Sequence, residues 1–153
     1  MLFRSKWNGT VPAATVFSVG TDSGTNGSGN TNVAYCFAAI AGYSAFGSYT
    51  GNGSADGPFV YCGFRPRFIL IKRYDSGAEG WYIEDTSRSP YNVMQTYLSP
   101  NSSAAETTAS FCNIDSLSNG FKIRNSDSAF NASGGSYIYA AFAENPFNYS
   151  LAR

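Results

Sequence analysis

The chain has 153 residues, about the size of one domain, and its 10 basic and 10 acidic residues give a formal net charge of zero. Charged residues make up only 13% of the chain, against roughly 25% in average proteins, so Ser, Thr, Asn and Gly must form most of the surface. A neutral chain does not attract phosphates, which argues against a nucleic-acid partner, and no long apolar run is present to insert into a membrane.

Short runs rich in Val, Ile, Tyr and Phe alternate with Gly-rich breaks along the whole chain. Asn-Gly, which favours the positive φ angles of tight hairpin turns, occurs at several of these breaks. Many of the runs alternate with period two, as half-buried strands do. The pattern predicts strands at Ala14–Val19, Asn32–Ala39, Tyr43–Thr50, Pro58–Cys62, Pro66–Tyr74, Trp81–Asp85, Ala109–Asp115, Gly120–Arg124 and Ser136–Ala143.

The remaining segments are predicted loops, apart from one short helix predicted in Pro90–Leu98. The loops Gly20–Thr31, Gly51–Gly57 and Ser99–Thr108 are rich in Gly, Ser, Thr and Asn. Because no crossover helices are available for parallel strands, the strands are expected to pair antiparallel. About nine short strands predict an all-β fold, an antiparallel β-sandwich of the jelly-roll or lectin-like kind.

No segment has the length or composition of an inter-domain linker, so one domain over residues 1–153 is predicted. A short N-terminal arm, residues 1–13, and an extended C-terminal tail, residues 144–153, flank it. The continuous run Phe68–Lys72 predicts a central strand that is covered on both faces. Residues 33–38 resemble residues 138–143, which indicates either two equivalent core strands or simply two aromatic-rich strands.

Three cysteines occur, and an odd number argues against a disulfide framework. Cys36, Cys62 and Cys112 all have apolar or aromatic neighbours, which predicts that they are buried thiols that pack as small hydrophobic residues. A single Cys36–Cys62 bridge stays open as the alternative.

The absence of histidine excludes His-based catalytic triads and removes the commonest zinc ligand. The adjacent carboxylates Glu84 and Asp85 lie on a predicted strand, so their side chains point to opposite faces and do not share one substrate. The alternation of Asn52, Ser54 and Asp56 resembles part of a calcium site, but the EF-hand pattern is not met and a turn held by Asx hydrogen bonds is the favoured interpretation. No catalytic residue, metal site or cofactor is therefore predicted.

Aromatic residues make up 16% of the chain, and Tyr and Trp suit interfaces and sugar faces. The best candidate for a binding patch is Trp81-Tyr82 beside Arg88 and Tyr91. The candidate ligand-binding residues are Trp81, Tyr82, Arg88, Tyr91, Asn52 and Asp56. In the alternative interpretation, Trp81 closes one end of the sandwich and Arg88 pairs with Asp85.

Long motifs that cover nearly the whole chain from residue 7 carry a family resemblance. They are Val33–Ala38, Gly42–Ser44, Phe46–Gly53, Asp56–Val60, Gly63–Pro66, Ile71–Arg73, Ser118–Lys122, Asn131–Gly135 and, most distinctive of all, Tyr137–Phe147. Over these stretches the chain resembles a C-terminal module that recurs in tail-fibre and other virion-associated proteins of marine tailed bacteriophages. The chain begins only about a dozen residues before the module, so it is expected to be a stand-alone gene product or an expressed fragment.

The resemblance implies a location on the exterior of a phage particle, on its tail or capsid surface, and it brings no catalytic residues. The expected function is a non-enzymatic tail-fibre or receptor-binding domain that contacts a host-surface glycan or protein. The alternative is a purely structural virion part, such as a capsid decoration protein or a tail adaptor, in which Gly20–Thr31 and Phe147–Tyr149 would dock on other virion proteins. A homo-oligomer, by analogy with fibre tips a trimer, is expected. A third hypothesis, a depolymerase, requires a groove with two carboxylates about 5 to 10 Å apart.

Overall fold

A computed structural model describes residues 6–146, and the chain divides into two compact units, residues 1–37 and 38–153. The first unit holds a four-residue helix, α1 (Ser23–Asn26). The second unit holds the strands and a further four-residue helix, α2 (Ser128–Asn131). No helix in the described part of the chain has the length and apolar composition that a bilayer crossing requires. The predicted single domain over 1–153 stays a prediction.

Nine strands form two sheets in the described residues. They are β1 (Ser44–Thr50), β2 (Phe59–Tyr61), β3 (Pro66–Arg73), β4 (Trp81–Asp85), β5 (Thr96–Leu98), β6 (Thr107–Thr108), β7 (Ile114–Leu117), β8 (Gly120–Ile123) and β9 (Ser136–Ala143). The large sheet has the order β1-β9-β3-β4-β5-β6 and the small sheet the order β2-β8-β7, and every pairing is antiparallel. This confirms the predicted all-β antiparallel class, while the jelly-roll or lectin-like detail stays a prediction.

The hydrophobic core contains side chains of both sheets and of α2. On the large sheet, Ile69, Ile71 and Tyr137 are buried, and they belong to one cluster with Phe121 and Ile123 of the small sheet. The alternation of strand side chains aims every second residue inward. Each fully buried side chain of this size stabilises the fold by about 1.5–3 kcal/mol.

The strands whose alternation is clearest were predicted within two residues of their observed ends. Trp81–Asp85 and Ser136–Ala143 match the structure at both ends. The third strand is central as predicted, but its outward side chains Phe68 and Leu70 are only partly buried, so its outer face is less covered than expected.

Six predictions of local structure were wrong in whole or in part. Residues 14–19 and 32–39 are not strands, because neither segment has a sheet neighbour among the described residues. Ala109–Asp115 begins with a 3-10 helix, Ser110–Cys112, and becomes a strand only at Ile114. Pro90–Leu98 forms no helix, since Met94 bridges to Ile114 and the segment ends in β5. The predicted loop Gly20–Thr31 contains α1, and the loop Ser99–Thr108 ends in β6.

Candidate functional site

The predicted aromatic patch is divided by β4. Trp81 begins this strand, whereas Arg88 and Tyr91 follow its other end. Four residue steps of strand span about 13 Å. Tyr91 is 83% exposed and Trp81 is 36% exposed. The structure therefore keeps Arg88 and Tyr91 on the same side of the strand end and separates them from Trp81.

Tyr82 belongs to a cluster of aromatic rings in the core. Its ring centroid lies 5.0 Å from that of Phe130, 5.6 Å from that of Tyr97 and 5.8 Å from that of Phe111. Burial raises the pKa of the Tyr82 hydroxyl above its ordinary value. The packing gives Tyr82 a structural role between the sheet and α2.

Arg88 is held by two carboxylates, one at the end of β4 and one in the segment before β6. Its Nη2 lies 2.7 Å from Asp85 Oδ2, and its Nε lies 3.3 Å from Glu106 Oε2. The other oxygen of Asp85 accepts hydrogen bonds from the backbone N–H groups of Ser87 and Arg88, both at 2.9 Å. The pairing of Arg88 with Asp85, which the sequence offered as the alternative to ligand binding, is confirmed.

Asn52 stabilises its own loop through Asx hydrogen bonds. Its Oδ1 accepts from Ser54 N–H at 2.9 Å, and its Nδ2 donates to Asp56 O at 2.9 Å. Buried Asn131 connects this loop to α2, because its Nδ2 donates to Asn52 Oδ1 at 2.9 Å and to Ser54 O at 2.7 Å. The Asx-turn interpretation is thus confirmed for this segment.

Asp56 points outward, with 81% of its side chain exposed, and pairs with Lys122 at 2.9 Å. The hydrogen bond from Lys122 holds the pKa of the Asp56 carboxyl below its ordinary value. Among residues 6–146 there is no group of three His, Cys, Asp or Glu side chains that could hold a metal ion.

The adjacent carboxylates Glu84 and Asp85 have different surroundings. Glu84 is 1% exposed, and neither of its oxygens has a hydrogen-bond partner. Burial raises the pKa of Glu84 well above its ordinary value, and the Cys112 thiol partly offsets this rise. Because Glu84 is enclosed in the core while Asp85 binds its own loop, the two do not form the open carboxylate pair that a depolymerase needs.

The cysteines differ in exposure, which corrects the prediction that all three are buried. Cys112 is buried, Cys62 is half-buried and Cys36 is exposed, and each is a free thiol. Cys36 lies in an extended segment without a sheet neighbour, so nothing among the described residues covers its thiol. Burial raises the pKa of Cys62 to about 11 and that of Cys112 to about 12.

The outer face of the large sheet is apolar across four adjacent strands. Cross-strand partners place Ala140, Leu70, Ile83 and Leu98 in one row over β9, β3, β4 and β5. Trp81 and Ile138 flank this row, since each is opposite Lys72. All of these side chains are partly or largely exposed. We name this surface the outer apolar face; its members are Phe68, Leu70, Trp81, Ile83, Leu98, Ile138 and Ala140.

Sequence reasoning missed the outer apolar face, although a signal was present. In β3 and β9, apolar residues occupy both parities of the alternation, as in Phe68–Ile71 and Tyr137–Phe142. Such a run indicates a strand that is covered on both faces. The inner face of the large sheet packs on the small sheet, whereas its outer side chains are partly exposed. Because the sequence predicted cover on both faces of the third strand, it did not indicate an exposed apolar surface there.

The first unit encloses a cleft of about 630 Å³. Apolar side chains line most of it, including those of Trp7, Phe17, Val33 and Tyr35. Trp7 and Phe17 are in edge-to-face contact with centroids 6.3 Å apart. Among the described residues that line the cleft none is charged, and a charged group is what would best orient a polar ligand.

Comparison with known proteins identifies the family but no characterised relative. The chain belongs to the family described as a domain of unknown function (DUF7483), whose sequence profile matches residues 2–146. No curated protein and no solved structure matches the chain.

Proposed function

We propose that this DUF7483 chain is a non-enzymatic module of a phage virion and that it acts by protein–protein assembly through the outer apolar face. The observation that supports this best is the continuous apolar row over β9, β3, β4 and β5. Soluble chains rarely leave a large contiguous apolar patch uncovered, and such patches mark interaction sites.

The composition of this face suits contact with an apolar surface of another protein rather than with a charged ligand. Lys72 is the one basic residue between Ile138 and Trp81, and its Nζ donates a hydrogen bond to the carbonyl of Glu79. Depletion of charge at the centre, with Trp and aliphatic side chains, is typical of the core of a protein interface. The phage setting comes from the long motifs such as Tyr137–Phe147 and is part of the proposal.

The test uses phage particles whose genome encodes this chain. Particles purified by density gradient should contain the chain when their proteins are identified by mass spectrometry. Ile83→Lys places a charge in the middle of the outer apolar face and should strongly reduce the amount of chain per particle. Ser103→Lys adds the same charge in an exposed loop and is the matched control. If the chain is missing from wild-type particles, or if Ile83→Lys is incorporated normally, the proposal is wrong.

A second candidate, contact with a host-surface glycan or protein, is favoured by Trp81. This ring is partly exposed at the edge of the outer apolar face, and its backbone N–H donates to Asn101 Oδ1 at 2.8 Å, which fixes the start of β4. Indole rings stack on the apolar faces of sugars, and weak sites gain from multiple copies on one particle.

Glycan-array binding of the purified chain tests this candidate. Trp81→Ala should abolish saturable binding, whereas Tyr61→Ala should leave it unchanged, since Tyr61 is an exposed aromatic residue on the small sheet. If Trp81→Ala still binds, Trp81 is not part of a glycan site. If the wild-type chain binds no glycan, this second candidate is wrong and assembly through the outer apolar face is the remaining proposal.

A further inference from the structure

The four-residue helices α1 and α2 are built in the same way. Asp22 caps α1 by accepting a hydrogen bond from Gly24 N–H at 2.9 Å, and Asp127 caps α2 by accepting from Ala129 N–H at 2.9 Å. The last residue of each helix is an asparagine whose Nδ2 donates backward, from Asn26 to Gly20 O and from Asn131 to Asn125 O. The hydrogen bonds therefore repeat at corresponding positions.

The turns after the two helices repeat as well. Gly29 has a φ of 77° and Gly134 has a φ of 74°. The N–H of the next residue bonds back to the residue after the helix, from Asn30 to Gly27 O in the first case and from Gly135 to Ala132 O in the second. At the same spacing, residues 33–38 correspond to residues 138–143. The helix and the turn thus repeat in structure, and the segment after them repeats in sequence. We name residues 31–38 the repeat strand after this strand-like sequence, although they pair with no strand among the described residues.

The repeat strand does not have the neighbouring strands that its counterpart has. Its counterpart β9 lies between β1 and β3 and pairs with both. In contrast, residues 31–36 take part in no hydrogen bond within the described part of the chain, and Val33 and Tyr35 are 75% and 83% exposed. Residues 31–36, which have the sequence of a central strand, thus expose their backbone groups and their side chains.

A suitable acceptor for this segment is the outer edge of β1. Ser44 bonds through both its N–H and its C=O to Ile40, so the even-numbered residues of β1 direct their backbone groups away from β9. Among residues 6–146, no hydrogen bond reaches the outward backbone groups of Ser48 and Thr50. The other edge strands, β2, β6 and β7, are shorter. Neither β1 nor the repeat strand contains a charged residue or a proline, the usual protection against edge-to-edge pairing.

Within one chain, the antiparallel pairing at the start of β1 stops at the bridge between Ile40 and Ser44. If the antiparallel pairing continued beyond the bridge between Ile40 and Ser44, Ala38 would be opposite Phe46, and Ala38 O would accept a hydrogen bond from Phe46 N–H. Instead, Ala38 O accepts from Ser44 Oγ at 2.8 Å, and Ile40 N–H also donates to this hydroxyl at 3.2 Å. The hydroxyl of Ser44 therefore takes the place of the next inter-strand hydrogen bond.

We propose that the repeat strand of one copy adds to the outer edge of β1 in a second copy of this chain. The added strand gains backbone hydrogen bonds on one side and extends the large sheet, as in other cases of β-strand addition. Exchange between identical copies buries the exposed side chains of the repeat strand without a specialised pocket. This pairing uses the edge of the sheet and not its outer face, so it does not depend on the proposed function and each can fail alone.

Two proline variants test the proposal by light scattering at up to about 100 µM, which covers dissociation constants in the micromolar range. The wild-type chain should have the mass of a dimer or a larger closed oligomer. Tyr35→Pro blocks the donor strand, and Ser48→Pro removes an outward N–H from β1, a position at which an edge strand tolerates proline. Both variants should be monomers with the circular dichroism of the wild type. Ser103→Pro, in an exposed loop, should remain an oligomer.

Mixing the two variants gives the decisive result. The first variant keeps an intact β1 edge and the second keeps an intact repeat strand, so an equimolar mixture should form heterodimers through one of the two pairings. The proposal is overturned if the wild-type chain is a monomer, or if Tyr35→Pro and Ser48→Pro each remain oligomers. It is also overturned if the mixture of the two variants stays monomeric. Ile83→Lys should leave this oligomer unchanged, which separates strand exchange from assembly through the outer apolar face.

Discussion

The carboxyl group of Glu84 and the thiol of Cys112 interact inside the core: the carboxyl raises the pKa of the thiol, whereas the thiol lowers the pKa of the carboxyl and offsets only part of the rise that burial causes. The thiol donates to Ala109 O at 2.9 Å or Gln95 O at 3.1 Å, while both carboxyl oxygens of Glu84 lack a hydrogen-bond partner. Tyr49 and Asp85 are the other titratable groups that sense or affect this carboxyl electrostatically. The simplest state that fits these surroundings is a neutral, protonated Glu84.

Folding stability should therefore fall as pH rises above 4.5, the ordinary pKa of the Glu84 carboxyl. Because the folded chain holds this proton more tightly than the unfolded chain, the contribution is complete below that pH and is lost toward the raised pKa. Glu84→Met should remove this dependence and increase the free energy of unfolding at pH 8 by about 1–3 kcal/mol. Urea unfolding at pH 5 and pH 8 measures both effects. Glu106→Gln, on an exposed glutamate, is the control, and a wild-type stability that rises over this interval would contradict the assignment.

Asn131→Asp should destabilise the fold on the order of 3 kcal/mol, as expected for a buried charge without compensation. The Nδ2 of Asn131 donates to three oxygens, including Asn125 O at 2.8 Å, and a carboxylate would face all three as an acceptor. Asn26→Asp changes the corresponding residue of α1, which is exposed and donates only to Gly20 O. Thermal unfolding of both variants should therefore show a large loss for Asn131→Asp and a small one for Asn26→Asp; equal losses would refute this account.

Tyr137→Phe should cost about 1–3 kcal/mol, because it leaves buried polar groups without partners. The Tyr137 hydroxyl donates to Ser128 O at 2.7 Å and accepts from Ala132 N–H at 2.8 Å, so it connects β9 to both ends of α2. Tyr139→Phe is the matched control on the same strand, since its hydroxyl makes only one long contact of 3.5 Å, to Tyr61 O. Urea unfolding should rank the two variants in this order, and a neutral Tyr137→Phe would show that the hydroxyl is dispensable.

Thiol labelling should distinguish the three cysteines. Iodoacetamide at pH 7.5 should modify Cys36 in the folded chain, because its side chain is exposed. Cys62 and Cys112 should react slowly until urea unfolds the chain, since burial raises their pKa values to about 11 and about 12 and restricts access. Peptide mass spectrometry after timed labelling reads each site, with Cys36→Ser as the control. Fast labelling of Cys112 in the native chain would contradict its burial.

Part of the candidate site was predictable because it depends on neighbours in the sequence. The Asx pattern of Asn52, Ser54 and Asp56 indicated a hydrogen-bonded turn, and the spacing of Asp85 and Arg88 allowed an ion pair across one turn. The patch around Trp81 was not predictable to the same degree. Whether Trp81 and Tyr91 lie together depends on the direction and length of β4, which adjacency in the sequence does not reveal.

The sequence by itself determined the strands that carry their own alternation, such as Trp81–Asp85 and Ser136–Ala143, and the antiparallel all-β class that follows from short strands without crossover helices. Tertiary structure alone decided which strand-like segments obtain neighbours. Residues 33–38 and 138–143 have similar sequences, yet only the second segment lies between two strands. A strand needs hydrogen bonds from another segment, and the path of the whole chain decides which segment that is. For the same physical reason Cys36 is exposed, the oxygens of Glu84 are buried without a hydrogen-bond partner, and the outer apolar face combines side chains of four separate strands.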